Sequence, residues 1–126
     1  MSENEAGIRS ALRRLTRSNR SFYEGEERTR SAELGGTPCG GLQDRRRVQV
    51  AGSLRSVSLR PRAGVPALEA ELADGTGAVT LIFLGRREIP GITPGRWLRV
   101  NGLVSCDDGR KTIYNPGYEL IPAPRG

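Results

Sequence analysis

The sequence contains no histidine and only two cysteines, Cys39 and Cys106. Without histidine, the chain cannot assemble a four-ligand Cys/His zinc site or a hydrolytic triad by itself. The two cysteines would permit one disulfide, but a cytoplasmic protein normally keeps its thiols reduced, so we expect both to be free. No paired-carboxylate motif stands out either. We therefore expect no metal, no cofactor and no catalytic residue, and we predict that the protein is not an enzyme.

Long apolar runs are also absent, since no stretch of the sequence approaches the roughly 20 apolar residues that a membrane-spanning helix needs. The first residues, among them Ser2, Glu3 and Glu5, have neither the charge nor the apolar pattern of a secretory or transit signal. We expect a cytoplasmic protein with no membrane partner.

Lysine is nearly missing, because Lys111 is the only one, yet the chain carries 20 basic residues against 14 acidic ones. Residues 1–44 hold seven arginines and seven acidic residues, so that part is neutral. The other 13 basic and seven acidic residues, and with them the whole net charge of +6, lie in residues 45–126. A regional excess of this kind attracts polyanions, nucleic acid among them.

The amino-terminal residues 1–34 have the pattern of a helix. Ser2 and Glu5 form a capping box, and Ile8, Leu12 and Leu15 begin an apolar stripe at helical spacing. The stripe is too short to fold alone, so we expect it to dock on the following domain or on another subunit. Four glycines and Pro38 make residues 35–44 a predicted linker.

From Arg45 onward the apolar residues alternate with a period of two, which indicates strands. The first strand is expected from Arg45 onward, with a bulge near Arg55. The others are expected at residues 68–72, 78–84, 97–104 and 112–121, with Pro116 confining the last to an edge or splitting it. Asp-Gly sequences at 74–75 and 108–109 predict hairpin turns, which explain the Asp-Gly-Thr-Gly sequence better than an aspartic-protease motif does. Residues 45–126 are therefore predicted to form one small, partly open barrel of five antiparallel strands.

A series of short motifs in residues 48–121 carries a family resemblance. In chain order they are Val48-x-Val50-x-Gly52, Leu68-Glu69-Ala70-Glu71-Leu72-x-Asp74-Gly75-Thr76-Gly77, the apolar strand 79–84, Pro94-Gly95-Arg96, Val100-x-Gly102 and Asn115-Pro116-x-Tyr118. Together they resemble an OB fold of the nucleic-acid-binding kind, in particular the wedge domain of RecG-type branched-DNA helicases. The chain also resembles the short stand-alone OB-fold proteins of high-GC bacteria, which have a similar helical extension.

The resemblance implies a mainly β fold, a five-stranded antiparallel OB-fold Greek-key barrel with an amino-terminal α-helical extension. It further implies a non-enzymatic module that binds single-stranded or branched DNA, with RNA as another candidate, acting as an accessory in recombination or repair. Three features depart from the helicase family. The chain has no phosphate-binding loop, Leu84 stands where a second aromatic is common, and Asn115 stands where histidine is usual.

An OB fold usually binds its ligand on strands two and three, between the loops joining strands one to two and four to five. The candidate binding residues are basic side chains that would contact phosphate and two tyrosines that would stack on bases. They are Arg45, Arg46, Arg47, Arg55, Arg60, Arg62, Arg86, Arg87, Arg99, Arg110, Lys111, Tyr114 and Tyr118. Trp97 and Phe83 are expected to pack at the rim or in the core instead.

One observation favours a different function. If Leu68, Ala70 and Leu72 face the core, Glu69 and Glu71 face outward on the usual binding surface, where carboxylates repel phosphate. The alternative is therefore an OB domain for protein–protein interaction. Its partner, or a second copy of the chain, would dock on the amino-terminal helix or on the acidic face of strand two.

Overall fold

The computed structural model describes residues 24–122. A helix, α1, spans residues 24–34, and a short 3-10 helix spans Cys39–Gly41. The strands are β1 (Arg47–Leu59), β2 (Ala67–Ala73), β3 (Ala78–Leu84), β4 (Trp97–Asp107), β5 (Arg110–Tyr114) and β6 (Gly117–Leu120). The predicted apolar stripe of Ile8, Leu12 and Leu15 lies outside the described residues. Within residues 24–122, no helix has the length and apolar character needed to cross a membrane.

The six strands form one sheet that closes into a ring. Their order is β1-β2-β3-β5-β4-β6, and an additional pairing between β1 and β4 closes the ring. The long first strand makes this closure possible, because residues 47–53 pair with β4 and residues 53–59 pair with β2. The register shifts between Leu54 and Ser56, where the sequence predicts a bulge. Gly52 lies at the crossing, where a side chain would collide with the Ala73 carbonyl.

Two parts of the predicted fold class were wrong. The sheet is mixed, because β3 and β5 run parallel, with Leu81 opposite Ile113. The strand count is six, because the predicted fifth strand is divided into β5 and β6. Asn115 adopts a positive φ of 48° at the break, and Pro116, which follows it, has no backbone N–H to donate to a neighbouring strand. Both halves still pair with β4.

The core fills the inside of the ring with the apolar residues of the alternating pattern. Leu68, Ala70 and Leu72 of β2 all face inward and are at most 5% exposed. Residues from every strand except β6 contribute buried side chains to the same cluster, against which Leu120 packs. Glu69 and Glu71 consequently point to the outside, as the alternation predicts.

The segment from α1 to β1 is attached to the ring at several points. Cys39 and Leu42 are each 5% exposed and belong to the core, although they lie in the predicted linker. The Thr37 N–H donates to the Gln49 carbonyl over 2.7 Å. The Ser31 hydroxyl of α1 donates to the Asp74 carbonyl over 2.8 Å. The domain boundaries stay a prediction, but residues 35–44 are packed against the ring.

Candidate functional site

A groove of about 480 Å³ lies on the outer face of β1, β2 and β3. Most of the residues that line it have polar or charged side chains. We call this cavity, together with its lining residues, the groove. The lining residues are Ser56 and Ser58 of β1, Glu69, Ala70 and Glu71 of β2, Ala78 and Thr80 of β3, Arg110 and Lys111 at the start of β5, and Arg60 and Gly109 from the flanking turns. This is the surface that the sequence predicts for ligand.

The walls of the groove are two tight hairpins. Between β1 and β2, Arg62 and Val65 exchange two backbone hydrogen bonds of 2.9 Å around a turn at Ala63 and Gly64, which have φ of 50° and 78°. Between β4 and β5, the turn at Asp108 and Gly109 has φ of 50° and 78°. Positive φ at both central residues is the geometry of a two-residue hairpin whose twist matches its strands. The segment between β1 and β2 therefore ends in a hairpin turn although it contains Pro61 and Pro66.

Glu69 stands at the floor where the two hairpins approach each other. Its carboxylate pairs with Arg60 at 3.2 Å, Arg110 at 3.7 Å and Arg62 at 3.9 Å. The Glu69 side chain is 13% exposed, whereas those of Arg60 and Arg110 are 69% and 64% exposed. One carboxylate therefore holds three arginines whose outer surfaces still face solvent. The expected repulsion of phosphate by Glu69 is offset, because the cluster carries a net positive charge.

A second contact joins the two hairpins directly. Tyr114 donates its hydroxyl to the Asp107 carboxylate over 2.6 Å, and Arg62 contacts both groups, at 3.1 Å and 3.4 Å. The Arg62 guanidinium also lies 5.7 Å from the centre of the Tyr114 ring. We call Arg62, Asp107 and Tyr114 the clasp. The hydrogen bond from Tyr114, with Arg62 adding to its effect, holds the pKa of Asp107 below its ordinary value. The same hydrogen bond raises the pKa of Tyr114, and Arg62 opposes that shift without cancelling it.

Among the predicted residues, Arg60, Arg62, Arg110, Lys111 and Tyr114 converge at the groove or the clasp. Tyr114 is 36% exposed, and its hydroxyl lies 3.1 Å from the Arg62 guanidinium. Its hydroxyl is engaged and Arg62 lies near its ring, so any stacking on a base would use the remaining exposed part of the ring.

The structure places Arg45, Arg46 and Arg47 together at the start of β1, all exposed. Arg45 donates its N–H to the Val104 carbonyl of β4 over 2.8 Å, and Cys106 of the same strand is paired with Lys111. Arg86 and Arg87 are exposed just after β3. None of these five arginines makes an ion pair with residues 24–122, and none lines the groove.

Two of the predicted arginines bind other parts of the protein. Arg55 pairs with Glu27 of α1 at 3.5 Å. Arg99 donates to the Leu34 carbonyl at the end of α1 over 3.0 Å and to Glu119 over 3.1 Å. Both side chains therefore hold α1 against the sheet.

Within residues 24–122, the other aromatic residues, Phe83, Trp97 and Tyr118, do not line the groove. Tyr118 on β6 packs edge-to-face on Phe83, with ring centres 5.9 Å apart and planes at 88°. Phe83 is 5% exposed, which confirms its predicted burial. Trp97 is half-buried, as expected of a rim residue, and the Arg30 guanidinium lies 4.5 Å from its ring centre. Tyr118 is still 42% exposed, but it is not among the residues that line the groove.

Sequence reasoning missed several residues of the site. Asp107 was not among the predicted binding residues, whereas its carboxylate binds Arg62 and Tyr114. Ser56, Ser58 and Thr80 lie on the floor and were not singled out. Their outward positions follow from strand alternation, so the pattern contains a signal for them. The partners of Asp107 are 45 and seven residues away in the chain, and no local pattern identifies the distant one.

Comparison with known proteins shows the fold. No protein-family model and no curated protein sequence matches the chain. Among solved structures, the chain is similar to the replication factor A related protein of Methanobacterium thermoautotrophicum, with a TM-score of 0.54 and 15% identity over 68% of this chain and 89% of that one. It is also similar to RecG bound to a three-way DNA junction, with a TM-score of 0.53 and 20% identity over 72% of this chain and 14% of RecG. These likenesses confirm the resemblance to OB-fold domains.

Proposed function

We propose that this protein is a non-enzymatic OB-fold module that binds single-stranded or branched DNA in the groove. The observation that carries this proposal is the position of Arg60, Arg62, Arg110 and Lys111 on two hairpins that flank one groove. An OB fold binds nucleic acid at this place, between these two loops, and a cationic wall on either side would bind a phosphate backbone.

The charge of the barrel supports the same proposal. All of the net +6 lies in residues 45–126, and Glu69, which faces the groove, is held by three arginines. A single strand suits the site better than a duplex, because its bases are free to reach the groove floor while its phosphates follow the walls. RecG, the OB-fold neighbour solved on a three-way DNA junction, supports branched DNA as a second substrate.

The setting that we propose is a cytoplasmic accessory in DNA recombination or repair. The similarity to RecG supports this setting, and the free thiols of Cys39 and Cys106 are compatible with a reducing compartment. The alternative of protein docking on the acidic face of β2 receives less support, since Glu69 is already paired. Docking on the stripe of Ile8, Leu12 and Leu15 concerns residues outside the described range.

Fluorescence-anisotropy titration of labelled single-stranded DNA, a fork, duplex DNA and single-stranded RNA at two salt concentrations tests the proposal. We expect the single strand and the fork to bind more tightly than the duplex, with affinity that falls as salt rises. The double variant Arg60→Ala/Lys111→Ala removes one cation from each wall. It should weaken single-strand binding about tenfold and lower the salt slope by roughly 0.7 for each phosphate that is no longer neutralised.

Arg86→Ala/Arg87→Ala is the matched control, because it removes the same charge from a site outside the groove. A smaller loss in this control than in Arg60→Ala/Lys111→Ala is expected. An equal loss in both variants would mean that net charge and not the groove binds DNA. Absence of binding at low salt, or a preference for duplex, would refute the proposed function.

A further inference from the structure

The groove contains a second carboxylate, Glu71, which is placed differently from Glu69. The two residues lie on the same outward face of β2, two positions apart. Glu69 is engaged by three arginines, whereas Glu71 makes no ion pair and no side-chain hydrogen bond with residues 24–122. It is half-buried and lines the groove, so its oxygen atoms retain most of their capacity to accept hydrogen bonds inside a site with cationic walls.

The neighbours of Glu71 leave space around its carboxylate. Ser56 of β1 and Thr80 of β3 are its partners in register, one on each side, and both side chains are short. All three line the groove. Arg110 and Lys111 belong to the same lining, but no cationic nitrogen of residues 24–122 comes within 4.0 Å of Glu71. The middle of the groove floor therefore offers hydrogen-bond acceptors from Glu71, whereas the two walls offer hydrogen-bond donors from the arginines and Lys111.

This distribution of charge directs the phosphates and the bases of a bound strand to different parts of the groove. Phosphate is repelled by a free carboxylate and attracted by the walls, so the backbone would keep to the arginines and Lys111. The part of the strand that can approach Glu71 is the edge of a base that carries hydrogen-bond donors. Ser56 and Thr80 can donate or accept beside it.

The four bases differ in what they offer a carboxylate. Guanine presents its ring N1–H next to its 2-amino group, so two parallel hydrogen bonds can reach the two oxygens of one carboxylate. Adenine and cytosine present one amino group next to a ring nitrogen that is itself an acceptor. Thymine presents one N–H between two carbonyl oxygens, which repel a carboxylate. Guanine is therefore the best partner, and only when unpaired, because base pairing occupies these donors.

We propose, on the basis of the proposed function, that Glu71 recognises unpaired guanine in the groove. This contact gives the protein a preference for guanine-containing single strands over strands of thymine alone. Glu71 is then a specificity-determining residue, while the arginines and Lys111 supply affinity without regard to sequence.

The test compares three labelled strands of about 12 nucleotides, a length within the site size of an OB fold. One is thymidine only, one alternates thymidine with deoxyguanosine, and one alternates thymidine with deoxyinosine, which lacks the 2-amino group. The wild-type protein should bind the guanine strand about tenfold more tightly than the thymidine strand, which is the size of effect that a good two-bond contact produces. The inosine strand should lose most of this advantage.

Glu71→Gln should bring the ratio of the two affinities to within about twofold, because the guanine strand loses its two-bond contact while the thymidine strand binds more tightly once the negative charge is removed. Glu71→Asp keeps the carboxylate and should retain part of the preference. Glu88→Gln removes the same charge from an exposed loop residue outside the groove and should leave the ratio unchanged. Denaturation midpoints of all variants check that the fold is intact.

The outcomes separate the two proposals. Equal affinity of the wild-type protein for the thymidine and guanine strands would overturn the role of Glu71 and leave the groove as a binding site. A guanine preference that survives in Glu71→Gln would assign the recognition to another residue and overturn it too. Absence of salt-dependent binding to any strand would instead refute the proposed function.

Discussion

Asp74 shows how one residue can serve both a local turn and a distant segment. Its carboxylate accepts hydrogen bonds from the Thr76 N–H, the Thr76 hydroxyl and the Gly77 N–H, which shape the β2–β3 turn. The other oxygen accepts from the Cys39 N–H over 2.8 Å, 35 residues away. The residue is 3% exposed, so each of these donors depends on it. Burial, together with the nearby Asp74 charge, raises the pKa of the Cys39 thiol.

We predict that Asp74→Ala lowers the free energy of unfolding by roughly 2–4 kcal/mol, because it leaves the buried Cys39 N–H and three part-buried donors of the turn without their acceptor. Chemical denaturation monitored by circular dichroism measures the change. Glu88→Ala, at an exposed loop position, is the control and should change the free energy by less than about 0.5 kcal/mol. A loss for Asp74→Ala as small as that of the control would show that the turn holds without the carboxylate.

At the scale of elements, the two hairpins that flank the groove are joined by the clasp. Each hairpin has a two-residue turn whose twist matches its strands, and the clasp joins one hairpin to the other. The hydrogen bond requires a protonated Tyr114 and an ionised Asp107. It is therefore complete at neutral pH, is lost on acidification through the lowered pKa of Asp107, and is lost at high pH through the raised pKa of Tyr114.

We predict that Asp107→Asn moves the pKa of Tyr114 back down towards its ordinary value of 10.0. The hydrogen bond to Asp107 is the largest cause of the upward shift, and a neutral amide favours the protonated phenol less. Ultraviolet absorbance of phenolate during an alkaline titration follows the ionisation of the tyrosines. The titration of Tyr114→Phe identifies which ionisation step in the wild-type curve belongs to Tyr114. If the titration curve of Asp107→Asn superimposes on that of the wild type, the clasp does not form in solution.

At the scale of the whole molecule, the ring and the segment before it depend on each other. α1 contacts the sheet through Glu27, Arg30 and Ser31, and residues 35–44 add Cys39 and Leu42 to the core. A barrel that begins at Arg45 would leave a gap in that core. Residues 24–44 are therefore packed against the sheet, and the domain boundary at residue 45 stays a prediction.

We predict that a chain beginning at residue 45 is less stable than one beginning at residue 24, by about 3 kcal/mol or more. The loss combines the burial of Leu42 and Cys39 with the hydrogen bonds that Thr37 and Cys39 make to the sheet. Thermal and urea denaturation of the two chains give the difference. Equal denaturation midpoints would mean that residues 24–44 contribute nothing to folding and that the domain does start at residue 45.

Local patterns in the sequence were sufficient to determine most of the strands. The period-two alternation predicted β2 and the outward direction of Glu69 and Glu71, because strand geometry places alternate residues on opposite faces. An uninterrupted apolar run predicted β3. The Asp-Gly pairs predicted both turns, and the bulge followed from the break in phase at Val57. The excess of positive charge in residues 45–126 is likewise a property of sequence alone.

Only the tertiary structure decided which basic residues share a surface. The sequence predicted the same nucleic-acid-binding role for Arg55 and Arg99 as for Arg60 and Arg110. Ring closure places the first pair against α1 and the second pair at the groove. Ring closure also produces the clasp, and it produces the parallel pairing of β3 with β5. Each joins segments that are distant in the chain, and their meeting depends on how the whole sheet closes, which no local periodicity encodes.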